Sequence, residues 1–338
     1  MKRFVQKKFR LSVVAFLSTF LMLGSSAHSE ALNLGAKAKY IISINPAARA
    51  AVETAITNAG GKINTKYNYV FDGYAVELPT LVVSLIKKVP NVLSLELDQT
   101  AVGLAEQTPT PSWGLDRIDQ RERVGLTGSV SSYGYRSAGA GATIYIGDSG
   151  IYPHSDFGTR LSNSGFSAIA DGNGTVDCNG HGTHVASTAA GTTYGVAKNA
   201  TLVPVRILNC SGSGQYSQVI AGLDWILSPQ NPNSKSNAVL NLSIGGPSSA
   251  ALNSAIQRLT NAGITVVAAA GNESTDACTR SPAGAPSAIT VGATSLNETP
   301  ASFSNYGSCV DIHAPGVSIT GAWIGSATAT NSISGTSM

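Results

Sequence analysis

From about residue 140 onward this chain of 338 residues repeats one pattern: a short run rich in Val and Ile, then a longer stretch with apolar residues three or four apart. The runs are ATIYIGD, TLVPVRIL, AVLNLSIGG, ITVVAAAGN, AITVGAT and VDIHAPG. Near-continuous apolar strands suit a sheet that is buried on both faces. Between some of them lie helical stretches. YSQVIAGLDWIL carries Val219, Ile220, Leu223, Ile226 and Leu227 on one face, and ALNSAIQRLTNAG carries Leu252, Ala255, Ile256 and Leu259 before Gly263 stops it. The alternation predicts an α/β domain, a largely parallel sheet with helices on both faces. In such a sheet, ligands and catalysis belong at the carboxyl ends of the strands.

Residues 40–97 keep a different rhythm. YIISI, KINTKY, YAVEL and VLSLEL read as strands. A helix started by Asn45-Pro46 and ended by Gly60-Gly61 has Val52, Ala55, Ile56 and Ala59 on one side, and PTLVVSLIKKV reads as a second helix. Strand, helix, strand, strand, helix, strand predicts a small α+β open sandwich. It holds no Cys or His and no polar constellation for chemistry, which points to binding rather than catalysis. The proline-dotted segment TAVGLAEQTPTPS then reads as an exposed linker open to proteolysis.

The first 27 residues place five bases ahead of an apolar run from Leu11 to Leu23 and end in small residues, the layout of a secretory signal peptide. That run of 13 residues is short against the roughly 20 needed to span a bilayer, so no stable membrane anchor is expected. Taking those five bases from the formal charge of +3 leaves −2 for the exported part, which gives no electrostatic footprint for nucleic acid. Charged residues are only 12% and glycines number 36, as suits an exported globule with many tight turns. Cys178, Cys210, Cys278 and Cys309 are then expected to form two disulfides, for which three pairings are open.

Three segments carry candidate chemistry. Asp148 ends an apolar strand before Ser149-Gly150, where a carboxylate needs a partner unless it simply begins a turn. CNGHGTHVASTAAG presents His181 between two glycines at the start of a helix, with His184 one turn on. A His pair three apart could bind zinc, but no third ligand in a zinc pattern follows. The terminal GTSM sets Ser337 among small neighbours, and the order Asp148, His181, Ser337 is one of the convergent arrangements of a hydrolytic triad.

From about residue 112 to its end the chain resembles subtilisin-like serine proteases, most closely the proteinase K and aqualysin branch. The resemblance is carried in order by WGLDRIDQR, GDSGI, NGHGTHVA, GSGQYS, NLSIGG, AAGN, SPAGAPSAITVGA, SFSNYGS and SISGTSM. It implies a subtilisin-like fold for residues 106–338, preceded by a ferredoxin-like inhibitory propeptide domain over residues 37–105. It implies a secreted endopeptidase of broad specificity, with Ser337 as nucleophile, His181 as acid and base, Asp148 as its orienting partner and Asn272 in the oxyanion hole. Extended peptide or protein substrates would be sandwiched by Gly212, Ser213 and Gly214 on one side and Ser243, Ile244 and Gly245 on the other. Tyr216, Ala270 and Gly271 are further implied binding residues. The disulfides would be Cys178 to Cys210 and Cys278 to Cys309.

The same resemblance implies a structural calcium on the carbonyls of Pro286 and Ala288 with Asp311, and no catalytic metal. A second calcium near Asp116 and Asp119 is not expected, because RVGLTGS lacks the acidic or amide ligands that should follow. Ser187, where relatives commonly carry glycine, is expected to tighten packing in the histidine helix. The chain's own propeptide would be a partner, running its tail near VGLAEQ through the cleft until cleavage around Ala105 and Glu106, and the mature enzyme would be a monomer. In that family the serine opens a long buried helix, so residues 106–338 are expected to be incomplete at the C-terminus and weakly active as they stand. The alternative expectation is an inert fragment that serves only as a binding or inhibitor protein through residues 37–105.

Overall fold

A computed structural model describes residues 36–99, 105–123 and 131–338. The expected signal peptide, residues 100–104 of the linker and most of RVGLTGS lie outside the described residues. The chain divides into two units, Met1–Ala101 and Val102–Met338.

In the first unit, strands β1 (Lys37–Ile44), β2 (Lys62–Tyr67), β3 (Gly73–Pro79) and β4 (Val92–Leu97) form one sheet in the order β2-β3-β1-β4. Every pairing is antiparallel. Helices α1 (Arg49–Asn58) and α2 (Val83–Ile86) connect them. Asn45 caps the entry to the first helix, its Oδ1 accepting the Ala47 N–H at 3.1 Å, and Pro46–Ala48 make a 3-10 turn before α1. Ile42, Val52, Ile56, Tyr74, Val76 and Leu78 have no exposed surface and form the core between sheet and helices. α2 is shorter than its sequence suggests. Thr80–Val82 is a 3-10 turn, the adjacent Val82 and Val83 are stiff at χ1, and Pro90 drives its predecessor out of helical geometry.

In the second unit, a short helix α3 (Trp113–Ile118) precedes a seven-stranded sheet. Its strands are β5 (Thr143–Asp148), β6 (Phe166–Ser167), β7 (Thr201–Arg206), β8 (Ala238–Leu242), β9 (Thr265–Ala269), β10 (Ile289–Thr294) and β11 (Ile312–Pro315). The order is β11-β10-β9-β8-β5-β7-β6, and each neighbouring pair is parallel. The six runs expected from sequence are all present. β6, with two residues, is too short to show a period.

Alternate residues of one strand divide the core. Tyr145 joins Leu240, Leu242 and the apolar sides of helices α5 (Tyr216–Leu227) and α6 (Ala250–Asn261), whereas Ile146 joins Val185 and Ala186 of helix α4 (His181–Ala190). The sheet is therefore covered on both faces. Each fully buried Leu or Ile contributes about 1.5–3 kcal/mol, and truncation of the completely buried Leu240 to Ala would cost about 2–5 kcal/mol. A hairpin of β12 (Ile319–Ala322) and β13 (Thr330–Ile333) packs on α4 and leads to Ser337. Two disulfides join Cys178 to Cys210 and Cys278 to Cys309.

Candidate active site

Asp148 is the last residue of β5, an interior strand of the sheet, and has no exposed surface. A bare carboxylate there would be unstable, so its partners define its role. Its oxygens lie 2.8 and 2.9 Å from Nδ1 of His181, and Oδ1 also accepts the Ser149 N–H at 2.7 Å. A carboxylate only accepts, so Nδ1 carries the proton and Nε2 is left as the free basic nitrogen.

The two glycines beside His181 serve close approach. Gly180 has φ +107°, and a Cβ there would sit 2.5 Å from the Trp323 ring. A Cβ on Gly182 would fall 2.2 Å from the Gly150 carbonyl and 3.1 Å from the Asp148 side chain. A side chain at position 180 would collide with the Trp323 ring, and one at position 182 would push α4 away from the end of β5.

Asp177, which sequence reasoning missed, holds the start of α4. It is almost completely buried. Oδ1 accepts N–H groups of Asn179 and Gly180 at 2.8 and 2.9 Å and the Ser149 hydroxyl at 2.9 Å. Oδ2 accepts the N–H and hydroxyl of Thr183 at 2.9 and 2.6 Å. The Ser149 Oγ in turn accepts the Gly182 N–H at 3.0 Å, so one network ties the residue after Asp148 to the turn bearing His181. The available signal was an acid just ahead of a helix start, where the helix dipole favours negative charge. Burial opposes the charged imidazole of His181, but the charge and hydrogen bond of Asp148, with the charge of Asp177, outweigh it and raise its pKa above the ordinary value.

His184 plays another part. It is fully buried, and its Nε2–H donates to the Ile319 carbonyl at 3.0 Å, while Nδ1 has no partner. Burial pushes its pKa down to about 4, so it stays neutral and pins β12 to α4. Ser187 works alongside: its hydroxyl donates to Asp156 Oδ2 at 3.2 Å and accepts the Ala322 N–H at 2.9 Å. Among the described residues the one His, Cys, Asp or Glu group close enough to share an ion is Asp171, Cys178 and Cys210, whose sulfurs are joined to each other.

His181, Asn272 and Ser337 line a single cleft of about 520 Å³ at the carboxyl ends of β5, β8 and β9. Ser337 Oγ donates to the Ser243 carbonyl at 3.5 Å, and the Ser243 hydroxyl donates back to the Ser337 carbonyl at 3.2 Å. No hydrogen bond joins Ser337 to His181 in this conformation. Catalytic contacts of this kind commonly tighten only with substrate in place.

Asn272 is oriented by Thr336, a second residue that the sequence did not flag. Its Oδ1 accepts the Thr336 N–H at 2.9 Å and hydroxyl at 3.0 Å. The backbone N–H can only donate, which assigns the amide and leaves Nδ2 available. Thr336 Oγ1 also accepts the Gly271 N–H at 3.0 Å.

Gly212, Ser213, Gly214, Tyr216, Ser243, Ile244, Gly245 and Gly271 all line the cleft. The Tyr216 hydroxyl is tied to the Pro247 carbonyl at 2.7 Å, which fixes the ring as a wall. Ala270 differs from its expected place. It is fully buried beside Ala277 and Ala283 where the chain leaves β9, while its neighbours Ala269 and Gly271 line the cleft. Away from the cleft, Asp311 Oδ2 accepts the Thr290 N–H at 2.8 Å, which sets its carboxylate beside the turn bearing Pro286 and Ala288. Asp116 and Asp119 accept the N–H groups of Ser132 and Gly134 at 2.9 and 2.5 Å.

A profile described as the subtilase family matches residues 139–338. The chain belongs to the subtilase family. An "Extracellular serine proteinase" of Thermus sp. (strain Rt41A) is 50% identical over 280 residues, covering 82% of this subtilase chain and 66% of that protein. "Subtilisin-like protease 2" of Pseudogymnoascus destructans is 42% identical over 355 residues, covering 98% of this chain and 86% of that protein. The crystal structure of a cold adapted subtilisin-like serine proteinase aligns with a TM-score of 0.61 at 46% identity, covering 67% of this chain and 79% of that one. This subtilase therefore spans about two thirds of the Thermus relative's length.

Proposed function

We propose that this subtilase is a secreted serine endopeptidase. The observation that carries the reading is a fully buried Asp148 engaging Nδ1 of a histidine whose other face shares a cleft with Ser337 and Asn272. With a peptide bound, rotation of the Ser337 side chain away from the Ser243 carbonyl brings Oγ to Nε2 of His181. Oγ attacks the scissile carbonyl as Nε2 takes its proton. Asp148 then stabilises the imidazolium, which hands the proton to the leaving amine. The developing oxyanion is received by Asn272 Nδ2 and the Ser337 N–H. Water repeats the sequence on the acyl-enzyme and frees Ser337.

An extended substrate would add as a strand between Gly212, Ser213, Gly214 and Ser243, Ile244, Gly245, so that main-chain bonds supply much of the affinity. Residues 37–105 act as the inhibitory propeptide, released by cleavage around Ala105 and Glu106, and the mature monomer acts outside the cell. Its fold of one sheet and two helices, and a linker that the sequence marks as exposed, support that reading. Asp311 with the carbonyls of Pro286 and Ala288 is an all-oxygen donor set of the kind calcium takes, and an ion there would brace the turn before β10.

The test is covalent. A fluorophosphonate should label Ser337, and casein should be hydrolysed; Ser337→Ala should abolish both. Labelling at another residue, or hydrolysis that survives Ser337→Ala, refutes the assignment. Asn272→Ala should lower kcat on the order of 100- to 1000-fold, a range carried over from the loss measured for such a donor in a subtilisin.

A further inference from the structure

The cleft itself holds no fixed cation. Of its lining residues only His181 and Glu273 ionise near neutral pH, and none is Lys or Arg. Beyond Gly245, however, two short segments border it: Gly246–Pro247 pairs antiparallel with Arg280–Ser281, so that Pro247 lies opposite Arg280. The Tyr216 hydroxyl donates to the carbonyls of Pro247 at 2.7 Å and Ser281 at 3.3 Å, which fastens this pair to the cleft wall. Ser281 is fully buried, and its hydroxyl donates to Asn253 of α6 at 2.8 Å. Successive side chains of a strand point to opposite faces, so Arg280 is directed away from that helix.

Arg280 has no partner there. Its Nε is buried without a hydrogen bond, the residue as a whole is half-buried, and no carboxylate among the described residues pairs with it. Packing therefore holds the stem while the two terminal nitrogens stay open to solvent. Burial raises the Tyr216 pKa and the Arg280 charge opposes that rise, which sets the guanidinium within electrostatic reach of the phenol on the cleft wall. A guanidinium offers its donors as a planar fork that fits a carboxylate, and a fork already held in place loses less freedom on binding. A buried donor without an acceptor destabilises the fold, so this arm is better explained by what its tip meets than by what its stem holds.

We propose that Arg280 makes this subtilase favour peptides with an acidic side chain, Asp or Glu, about four or five residues before the scissile bond. The inference rests on the proteolytic reading above, in which the acyl part of the substrate lies along the edge that starts at Ser243. The Ser243 carbonyl meets Ser337 Oγ, so Ser243 stands level with the residue under attack. Pro247 comes four residues further along that edge, and an extended peptide laid against it advances at a similar rise of about 3.3 Å per residue. An acidic side chain at that distance from the cut then meets the guanidinium opposite Pro247. The tip is open to water, so the attraction is screened; the expected preference is about three- to fivefold and weakens with salt.

Acetylated chromogenic hexapeptide anilides, identical except for Glu, Gln or Lys at the fourth or the fifth residue before the cut, decide it. In the wild-type chain kcat/KM should be about three- to fivefold higher for Glu than for Gln at one of the two positions, with Lys lowest. Arg280→Gln should bring that ratio close to unity, and Arg280→Glu should place the Lys peptide above the Glu peptide. A ratio cancels any general loss of activity. In about 1 M salt the wild-type preference should shrink toward unity, a readout that needs no variant to fold. A wild-type chain that cleaves these peptides without preferring Glu, a preference that survives Arg280→Gln, or one that ignores salt overturns this inference alone. A wild-type chain that cleaves none of them overturns the proteolytic reading and this inference with it.

Discussion

Replacing Asp177 with Asn tests whether the start of α4 is positioned by charge. The substitution keeps the shape of the side chain and one acceptor oxygen. Placed on the Oδ1 side, that oxygen still receives the N–H groups of Asn179 and Gly180 and the Ser149 hydroxyl. The new amide hydrogens then face the Thr183 N–H, which can only donate. Two charge-assisted bonds to Thr183 are lost and one buried donor is stranded, at about 1.5–3 kcal/mol for each bond. A total of about 4 kcal/mol is reasonable after partial relaxation, and for a unit of this size it lowers Tm by about 8–16 °C.

That loss should be measured by calorimetry in a Ser337→Ala background, where self-digestion cannot distort the transition. A second readout separates positioning from mere destabilisation. The Asp177 charge raises the pKa of His181, so its removal should move the acid limb of kcat/KM to lower pH. At the plateau kcat should fall more than KM rises, because the imidazole is misplaced rather than the substrate site. A variant with unchanged Tm and an unmoved acid limb would refute the account of Asp177.

Three further outcomes follow from the same geometry. Activity requires neutral His181, whose pKa lies above the ordinary value of 6.5, so the acid limb in the wild-type chain should sit above 6.5; Asp148→Asn should shift it downward and reduce kcat, measured by pH–rate profiles. His184 is held neutral with a pKa of about 4, so stability present above pH 6.5 should be lost as pH falls through 4, by about 3 kcal/mol, and His184→Gln should flatten that acid loss in urea titrations. Chelation of calcium should lower Tm in the wild-type chain and leave Asp311→Asn unaffected; equal sensitivity in both would exclude Asp311 as a ligand.

Much of this protein could be read from residue order. A Val- and Ile-rich strand alternating with an amphipathic helix can bury itself only in a covered parallel sheet, and all six expected strands of that sheet are present. Asp148, His181 and Ser337 stood out as candidates because each lies beside glycines or small residues in a segment that suits a strand end, a helix start or a tight turn, whereas Asn272 entered only through the resemblance to subtilisin-like proteases. Other features depend on separations in space that no local pattern encodes. The Trp323 ring decides that residue 180 must be glycine, and it lies 143 positions away in the chain. Thr336 orients Asn272 across 64 residues, and Asn305 anchors Glu273 across 32. Beyond the end of β9, Ala270 packs beside Ala277 and Ala283 while Gly271 lines the cleft. Local sequence determines which segments can be strands and helices, since propensity and periodicity act over a few residues. Which buried donors find which acceptors is decided only when packing brings distant segments within about 3 Å.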